Sequence, residues 1–254
     1  MGLRTKIRHY LSPRAYLRRL VQKRSGMKIL AGPFTGMRYI QDSYGAAYLP
    51  KLVGVYEREV NEAIQAVIDG DHDLIVDVGA AEGYYAVGLA TKCDAPIVGF
   101  EMSAKARRMS AELAEMNGVA GRIEMHEECD AESLERVIAS SERPFVLIDV
   151  EGAEAMIVDK KQAPSLTRAT MLIEMHEFCR PGYTAELFRL FEQTHEIQVF
   201  WETGRDAQDY PYETFLTRWM PKRFVRRAVE EHRFHGQSWV WLRPRTEAQE
   251  SAAA

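Results

Sequence analysis

From residue 71 onward, short apolar runs alternate with longer stretches in which apolar residues recur every three or four positions. The predicted strands, most of them apolar runs, lie at 74–78, 96–100, 122–126, 145–149, 171–175, 197–201 and 238–242. The stretches with helical spacing lie at 84–92, 103–116, 131–139, 153–158 and 184–195. Strands that are apolar on both faces are typical of a parallel sheet covered by helices. The pattern therefore predicts an α/β fold: a doubly wound, mostly parallel seven-stranded sheet with helices on both faces.

Residues 1–70 follow a different pattern and are predicted to form a basic N-terminal arm and a lid or hairpin region. A basic helix, interrupted near Pro13, is expected to end at Ser25-Gly26, with apolar positions at Leu3, Ile7, Leu11, Leu17, Leu20 and Val21. A hairpin is expected at 27–40, and a helix is expected at 56–68 with a stop at Gly70.

The rest of the chain is predicted to form one domain, at residues 71–244, followed by a tail. The domain carries an insertion at 204–236 that is rich in aromatic and basic side chains. The closing residues 245–254 are predicted to be disordered.

Charge is unevenly distributed along the 254 residues, whose net charge is −4. Residues 1–30 contain nine Lys or Arg and no Asp or Glu, which leaves 24 basic and 37 acidic residues, a net charge of −13, for the remainder. We expect residues 1–30 either to pack as a solvated basic helix or to contact an anionic surface, which can be a lipid membrane or the acidic remainder of the protein itself. A nucleic acid partner is not expected, because no RNA-binding motif accompanies the charge.

The composition is that of a globular protein, with 46% hydrophobic and 28% charged residues. No stretch approaches ~18 uninterrupted apolar residues, so no transmembrane segment is predicted. Cys93, Cys129 and Cys179 are odd in number and form no CxxC pair, which favours a reducing compartment. The expected location is the cytoplasm, with peripheral contact to a membrane through the basic arm.

A glycine-rich turn follows the first predicted strand, at Asp77-Val78-Gly79-Ala80-Ala81-Glu82-Gly83. In doubly wound sheets, ligands bind at the carboxyl ends of the strands, and glycine lets a ligand approach the backbone closely. The spacing is Gly-x-x-x-Gly rather than the Gly-x-Gly-x-x-Gly of dinucleotide sites. Glu101 lies 18 residues after Gly83, at the tip of the second strand, where its carboxylate can accept both hydroxyls of a ribose. The turn and the acid together predict a nucleoside site, although Glu101 also fits a cap for the helix that starts near Ser103.

Two segments resemble known methyltransferase motifs. The segment Leu74-Ile-Val-Asp-Val-Gly-Ala-Ala-Glu-Gly-Tyr-Tyr-Ala-Val-Gly-Leu-Ala resembles the first motif of class I S-adenosylmethionine-dependent methyltransferases. The segment Leu147-Ile-Asp-Val-Glu-Gly-Ala-Glu, followed by Leu172-Ile-Glu-Met-His, resembles the FkbM-type family of these enzymes and is the more specific of the two. The resemblance covers about residues 50–200 and departs from the family at Ala81, where asparagine is common.

The resemblance implies a Rossmann-like methyltransferase fold with S-adenosyl-L-methionine as cofactor. The implied cofactor-binding residues are Asp77, Gly79, Ala81, Glu82, Gly83, Glu101, Asp130, Ala131 and Asp149. The glycine turn would line the methionine part, with Glu82 supplying a polar contact that Ala81 lacks, and Glu101 would hold the ribose. Asp130 would lie near the adenine amine, beside the backbone of Ala131. Asp130 equally fits the N-cap of the helix at 131–139, and both roles remain open.

Polar residues also lie at the ends of the fourth and fifth predicted strands. Asp149 and Glu151 are two positions apart, as are Glu174 and His176, so each pair faces one way on an extended strand. If these strands are neighbours, four polar groups meet at one edge of the sheet, where burial is costly unless they pair or bind something.

Three hypotheses account for these four groups. In the first, the role is structural and Glu174 accepts a hydrogen bond from His176. In the second, His176 is a general base oriented by a carboxylate. In the third, Asp149, Glu174 and His176 bind a divalent metal. Because no spacing defines a ligand set, the expected catalytic residues are His176, Glu174 and Asp149, without a metal ion. Three further histidines, His72, His126 and His195, are expected at the surface.

The sequence thus predicts a methyltransferase, and the family resemblance implies O-methylation of a hydroxyl on a small-molecule or glycan acceptor: a sugar, a glycoconjugate or a polyketide-like molecule. One alternative is a nicotinamide-dependent oxidoreductase on a similar fold, against which the missing Gly-x-Gly-x-x-Gly argues. Another alternative is a non-catalytic binding module that uses the basic arm, which salt-dependent binding to a polyanion without methyl transfer would favour.

Overall fold

The computed structural model describes residues 12–45, 47–231 and 236–245, which form two compact units. Residues 12–58 and 203–231 form the first unit, and residues 59–202 and 236–245 form the second. The predictions for Leu3, Ile7 and Leu11, and for all but the first residue of the tail at 245–254, lie outside the described residues.

Helices and strands alternate through most of the second unit, as the apolar pattern predicts. In chain order the elements of both units are α1 (Pro13–Ser25), α2 (Tyr48–Val53), α3 (Asn61–Asp69), β1 (Leu74–Val78), α4 (Tyr84–Ala90), β2 (Ile97–Phe100), α5 (Ala104–Met116), β3 (Ile123–His126), α6 (Ala131–Ile138), β4 (Pro144–Ile148), α7 (Glu154–Ile157), β5 (Thr170–Met175), α8 (Tyr183–Phe191), β6 (His195–Trp201), α9 (Phe215–Trp219), α10 (Lys222–Val229) and β7 (Ser238–Pro244). A bilayer-spanning helix is absent from the described residues, in which the longest helices, α1 and α5, have 13 residues each.

The strands form one sheet in the order β3-β2-β1-β4-β5-β7-β6. Neighbours among β1 to β5 run parallel, whereas β7 runs antiparallel to both β5 and β6. The predicted seven-stranded, mostly parallel sheet is therefore confirmed. The strand order reverses between β1 and β4, because β2 and β3 lie on one side of β1 while β4 and β5 lie on the other. The carboxyl ends of β1 and β4 thus mark the place where ligands bind in sheets of this kind.

One large part of the core of the second unit lies where helices α6 and α8 cover strands β4 and β5. Buried residues in α6 are spaced three or four apart, at Ala131, Leu134 and Ile138, and α8 buries Leu187 and Phe191 in the same way. Each large apolar side chain that is buried here contributes about 1.5–3 kcal/mol to the stability of the fold. This packing holds the ends of β4 and β5 in place.

Helix α1 of the first unit begins and ends as its sequence predicts. The Ser12 side chain accepts a hydrogen bond from the Ala15 N–H at 3.2 Å, and proline occupies the first turn. Gly26 ends the helix in a left-handed conformation, with φ of 60°. The helix buries Leu17 and Val21, which lie one turn apart, and leaves its basic residues on the other faces.

The rest of the first unit consists of a hairpin, α2 and the segment that returns after residue 203. An antiparallel bridge between Lys28 and Arg38 confirms the hairpin predicted at 27–40. The predicted insertion at 204–236 supplies α9 and α10, and α10 packs against α1 and α2. Arg205 and Glu231 form a buried ion pair at 2.5 Å within this unit, so neither charge is left uncompensated away from water.

Two predicted helix boundaries are wrong. The helix expected at 56–68 is a 3₁₀ turn at Arg58–Val60 followed by an α-helix from Asn61. Neither can extend back through Glu57, whose φ of 47° lies in the left-handed region that a helix cannot contain. The helix expected at 184–195 ends at Phe191, since His195 already pairs with Pro244 between β6 and β7.

The prediction of a surface position for His195 is also wrong, because its ring is fully buried. The ring packs edge-on against Phe191 with 5.0 Å between centroids. Nε2 lies 3.0 Å from the Ala169 carbonyl oxygen and donates to it, so Nδ1 accepts from the Thr194 hydroxyl at 2.8 Å. Burial lowers the pKa of His195 below its ordinary value, so the fold favours a neutral ring.

We expect His195→Gln to make the free energy of unfolding less dependent on pH. Because the pKa of His195 is lower in the folded chain, the unfolded chain binds a proton first as the pH falls through its ordinary value of 6.5. The stability that the neutral ring contributes is complete above that pH and is lost below it. Between about pH 8 and about pH 5.5, the urea midpoint should fall further for the parent than for the variant. His126→Gln, at a partly exposed position, serves as the control and should follow the parent. An equal fall for parent and His195→Gln would contradict a buried neutral ring.

Candidate active site

The glycine-rich turn lies directly against the residue that follows β4. Gly79 has a φ of 88°, and a Cβ at this position would lie 1.7 Å from the backbone oxygen of Asp149. No side chain larger than hydrogen fits in that space. The turn after β1 and the loop after β4 are therefore in backbone contact at the strand-order reversal.

Two acidic residues of the turn are buried and support its shape. The Asp77 carboxylate accepts a hydrogen bond from the Ala86 N–H, in the first turn of α4, at 3.0 Å. The free N–H groups at the start of α4, which could bind an anion, are thus partly paired with a carboxylate of the protein itself. Glu82 is fully buried, so its predicted role toward a cofactor stays a prediction.

Glu101 connects the glycine turn to the start of α5. One carboxylate oxygen accepts from the Ala81 N–H at 2.9 Å, and the other accepts from the Ser103 N–H at 2.6 Å. Its alternative role, a cap at the beginning of α5, is therefore present in the structure. A carboxylate has about four lone-pair sites, so both oxygens of the half-buried Glu101 retain capacity for further donors such as ribose hydroxyls.

Ala81 occupies the position where the sequence departs from the family that it resembles. Its φ is 47°, in the left-handed region that asparagine tolerates better than alanine. Alanine at this position therefore adds backbone strain and lacks the polar group that asparagine would supply. The Ala81 N–H nevertheless keeps its partner, Glu101.

Asp130 caps α6, as the structural alternative for this residue predicts. Its carboxylate accepts from the Ser133 N–H at 2.7 Å, and the Ser133 hydroxyl lies 2.8 Å from the Asp130 N–H in return. The hydrogen bonds from Ser133 lower the pKa of Asp130. Asp130 is exposed and Ala131 is buried, so a contact of Asp130 with a nucleoside base stays a prediction beside its observed role as a cap.

The polar groups after β4 and β5 converge on His176, which is only 2% exposed. Its Nδ1 lies 2.6 Å from a Glu154 carboxylate oxygen, which can only accept, so Nδ1 carries a proton. Its Nε2 faces three further carboxyl groups, those of Glu151 at 3.3 Å, Glu174 at 3.8 Å and Asp149 at 4.0 Å.

This arrangement differs from the sequence prediction in two respects. The hydrogen bond expected from His176 to Glu174 is wrong, because 3.8 Å is too long, and the partner is Glu154 instead. In addition, β4 ends at Ile148, and Glu151 approaches His176 from a loop in which it has a φ of 52°. Sequence reasoning included Glu154 in a motif but gave it no role, although it is the closest acidic neighbour of His176.

The carboxylates set the protonation of the cluster. Burial lowers the pKa of His176, but the hydrogen bond to Glu154 and the charges of Asp149, Glu154 and Glu151 outweigh it, so the pKa lies above its ordinary value. Burial raises the pKa of Glu174 well above its ordinary value, and the neighbouring charge of Asp149 adds to this effect. Glu174 therefore favours its neutral form, which removes one negative charge from the cluster.

Two buried atoms of the cluster, His176 Nε2 and Asp149 Oδ1, have no hydrogen-bond partner among the described residues. Buried polar atoms are costly to leave unpaired, so such atoms mark a place where a ligand or a proton is expected. Ligand atoms of Asp149, Glu151 and His176 lie within 4.8 Å of one another, which also fits a divalent cation. The geometry thus accommodates both the general base and the metal ion considered from the sequence.

Comparison with solved structures shows similarity in fold. The chain is similar to an rRNA methylase from Streptococcus thermophilus, at 10% identity over 75% of this chain and 98% of that one, with a TM-score of 0.51. It is also similar to a protein from Clostridium thermocellum assigned as an rRNA methylase, at 8% identity over 74% of this chain and 97% of that one, with a TM-score of 0.50. No protein-family model and no curated protein sequence matches the chain. The chain therefore has the Rossmann-like fold of these methyltransferases.

We expect Gly79→Ala to destabilise the protein far more than Gly118→Ala. Both glycines have positive φ, 88° and 71°, but a Cβ at Gly118 meets nothing within 4 Å. The free energy of unfolding of the control variant should therefore fall by only about 1–2 kcal/mol, the cost of alanine in a left-handed conformation. That of Gly79→Ala should fall by roughly 2 kcal/mol more, because the turn must move away from Asp149. Urea unfolding followed by circular dichroism measures both variants. Equal losses would show that the close contact is not required.

Proposed function

We propose that the chain is an S-adenosylmethionine-dependent methyltransferase that methylates a hydroxyl group of a sugar, glycoconjugate or polyketide-like acceptor. The observation that carries this proposal is the backbone contact between Gly79 and Asp149. It joins a glycine turn suited to a nucleoside cofactor to a cluster that contains a base, His176. A methyltransferase needs these two features side by side, because the methyl donor and the attacking hydroxyl must meet at near-attack distance.

The residues of the turn fit the cofactor. Gly79 and Gly83 bring no side chain to the turn. Glu101 retains acceptor capacity for the two ribose hydroxyls. Buried Asp77 supports the proposed site by fixing α4. When bound, the cofactor supplies an electrophilic methyl group on a sulfonium.

His176 is proposed to take the proton of the acceptor hydroxyl at Nε2. The Glu154 carboxylate holds the Nδ1 proton, so the lone pair of the neutral ring lies on Nε2. The neighbouring acidic groups then stabilise the imidazolium that forms. Glu151 lies over Nε2 with a side chain that is 83% exposed, so it can swing aside without breaking the core and admit the hydroxyl.

The acceptor class and the FkbM type rest on the resemblance of residues 147–154 and 172–176. The rRNA named for the structural neighbours is not carried over, because similarity at 8–10% identity reflects the fold alone. The Gly-x-x-x-Gly spacing of the turn continues to argue against a nicotinamide cofactor.

We expect S-adenosylhomocysteine to bind the chain and Glu101→Gln to weaken this binding about tenfold or more. The substitution removes the negative charge and one acceptor, and hydrogen bonds to a charged group are worth about 1.5–3 kcal/mol. Isothermal titration calorimetry measures the affinity. Ser103→Ala is the matched control, since it removes the cap that Ala106 uses on the same helix but leaves the carboxylate.

Unchanged affinity in Glu101→Gln would show that this carboxylate only caps α5. Absence of S-adenosylhomocysteine binding by the parent chain would contradict the proposed function itself. A loss in Ser103→Ala equal to that in Glu101→Gln would assign the effect to the helix start rather than to the carboxylate.

We expect His176→Ala to lower turnover by about 10²–10⁴ with little change in cofactor affinity. The ascending limb of the parent pH–rate profile should lie above the ordinary histidine value of 6.5, because the carboxylates raise the pKa of His176. Glu154→Gln should shift this limb to lower pH, since it removes a negative charge from the ring. Steady-state rates on a methyl acceptor, measured across pH, check both effects.

If a chelator inhibits the parent and added divalent ion restores its activity, the cluster binds a metal ion and His176 is not a general base. Normal turnover in a folded His176→Ala protein that has a lowered melting temperature would assign His176 a structural role only. Rates with and without chelator, together with thermal unfolding, separate these outcomes.

A further inference from the structure

A small helix of the first unit carries large apolar side chains on its surface. In α9, Phe215 is 78% exposed, Leu216 is 56% exposed and Trp219 is 76% exposed. The rings of Phe215 and Trp219 lie 6.3 Å apart, and Leu216 follows Phe215 on the same short helix. These three residues are here called the apolar tip. Single exposed apolar residues are ordinary, but a cluster of this size marks an interaction surface.

Positive charge surrounds the apolar tip along the chain. Residues 214–229 contain five basic residues and no Asp or Glu, and one of the five, Arg218, is paired with Glu213 at 2.7 Å. All five are exposed: Arg218, Lys222, Arg223, Arg226 and Arg227. Helix α10 buries Val225, Ala228 and Val229, so its basic side chains lie on the face that points away from the interior of its own unit.

An open cleft of about 570 Å³ lies between the start of α1 and α10. Arg14, Arg226 and Arg227 line it, together with Ser12, Pro13, Phe224 and Glu230. None of these three arginines forms an ion pair with another described residue. Guanidinium groups bind phosphate oxygens in a planar, bidentate way. The cleft therefore has the chemistry of a phosphate site.

The cleft and the apolar tip lie at the same end of α1. The Tyr16 hydroxyl is 3.4 Å from the hydroxyl of Thr214, the residue that caps α9. Arg14, two positions earlier on α1, lines the cleft. Apolar insertion and phosphate binding are thus available within one region of the first unit.

We propose that this region binds the surface of an anionic phospholipid bilayer. Tryptophan and phenylalanine beside arginine and lysine are the composition of interfacial membrane contacts, in which rings enter the headgroup layer and cations meet phosphates. RNA would use flat rings as stacking platforms within a groove. Leu216 cannot stack, and the three side chains project from a helix, so a bilayer fits better. The sequence alone predicts contact with an anionic surface through residues 1–30, and the proposed surface extends beyond them to α9 and α10.

The test is co-sedimentation of the full chain with vesicles of phosphatidylcholine, with or without about one third phosphatidylserine. The parent should bind the anionic vesicles, and raised salt should weaken this binding. The double variant F215S/W219S should lower the partition coefficient about tenfold or more, and R226Q/R227Q should lower it several-fold. All four positions are exposed, so the fold should persist, which circular dichroism checks.

Two control variants match these changes on the second unit. W201S removes an exposed tryptophan from β6, and K105Q/R108Q removes two exposed charges from α5. Both controls should bind vesicles as the parent does. Equal binding to neutral and anionic vesicles, or equal losses in controls and test variants, would overturn the proposal. Binding to a single-stranded RNA oligonucleotide that F215S/W219S abolishes, without vesicle binding, would also overturn it and assign the surface to nucleic acid.

Discussion

The close contact between Gly79 and the Asp149 carbonyl is the constraint on which the proposed site depends. Strands β1 and β4 are neighbours, and their loops leave the sheet in the same direction. The two loops can meet only because the turn has no side chain at Gly79. Had the loops been separated by the width of a side chain, the cofactor turn and the polar cluster would be further apart. The fold thus places the two halves of the proposed chemistry together through backbone packing rather than through a side-chain bond.

A second constraint comes from charge. Four acidic residues lie around one buried histidine; Glu154 and Glu174 are buried, whereas the Glu151 side chain is largely exposed. Negative charge on the buried pair is costly unless it is compensated. The structure compensates it in two ways, since Glu154 accepts a hydrogen bond from the ring and Glu174 favours its neutral form. Such a cluster is poised to gain a proton or a cation, which is the property that a base for hydroxyl activation needs.

The first unit combines two narrow apolar faces with a basic surface. Helices α1 and α10 each bury a narrow apolar face, at Leu17 and Val21 in one and at Val225 and Val229 in the other. Their remaining faces are basic, so the net charge of −4 for the whole chain conceals a strongly positive surface. The exposed rings of α9 next to this charge distinguish a binding surface from a merely solvated one.

The amino-acid pattern alone was sufficient to predict the sheet, its mostly parallel character and the polar residues at the strand ends. Apolar periodicity and glycine turns are local signals, and the burial that they reflect is the main driving force of the fold. It also identified Glu101 and Asp130 together with their capping roles, because caps depend on neighbours a few residues away. The three-dimensional packing was needed to show that Glu154, rather than Glu174, hydrogen-bonds His176 and that His195 lies in the core. Those pairings join residues more than twenty positions apart, and their geometry depends on how separate loops and strands pack, which no local pattern encodes.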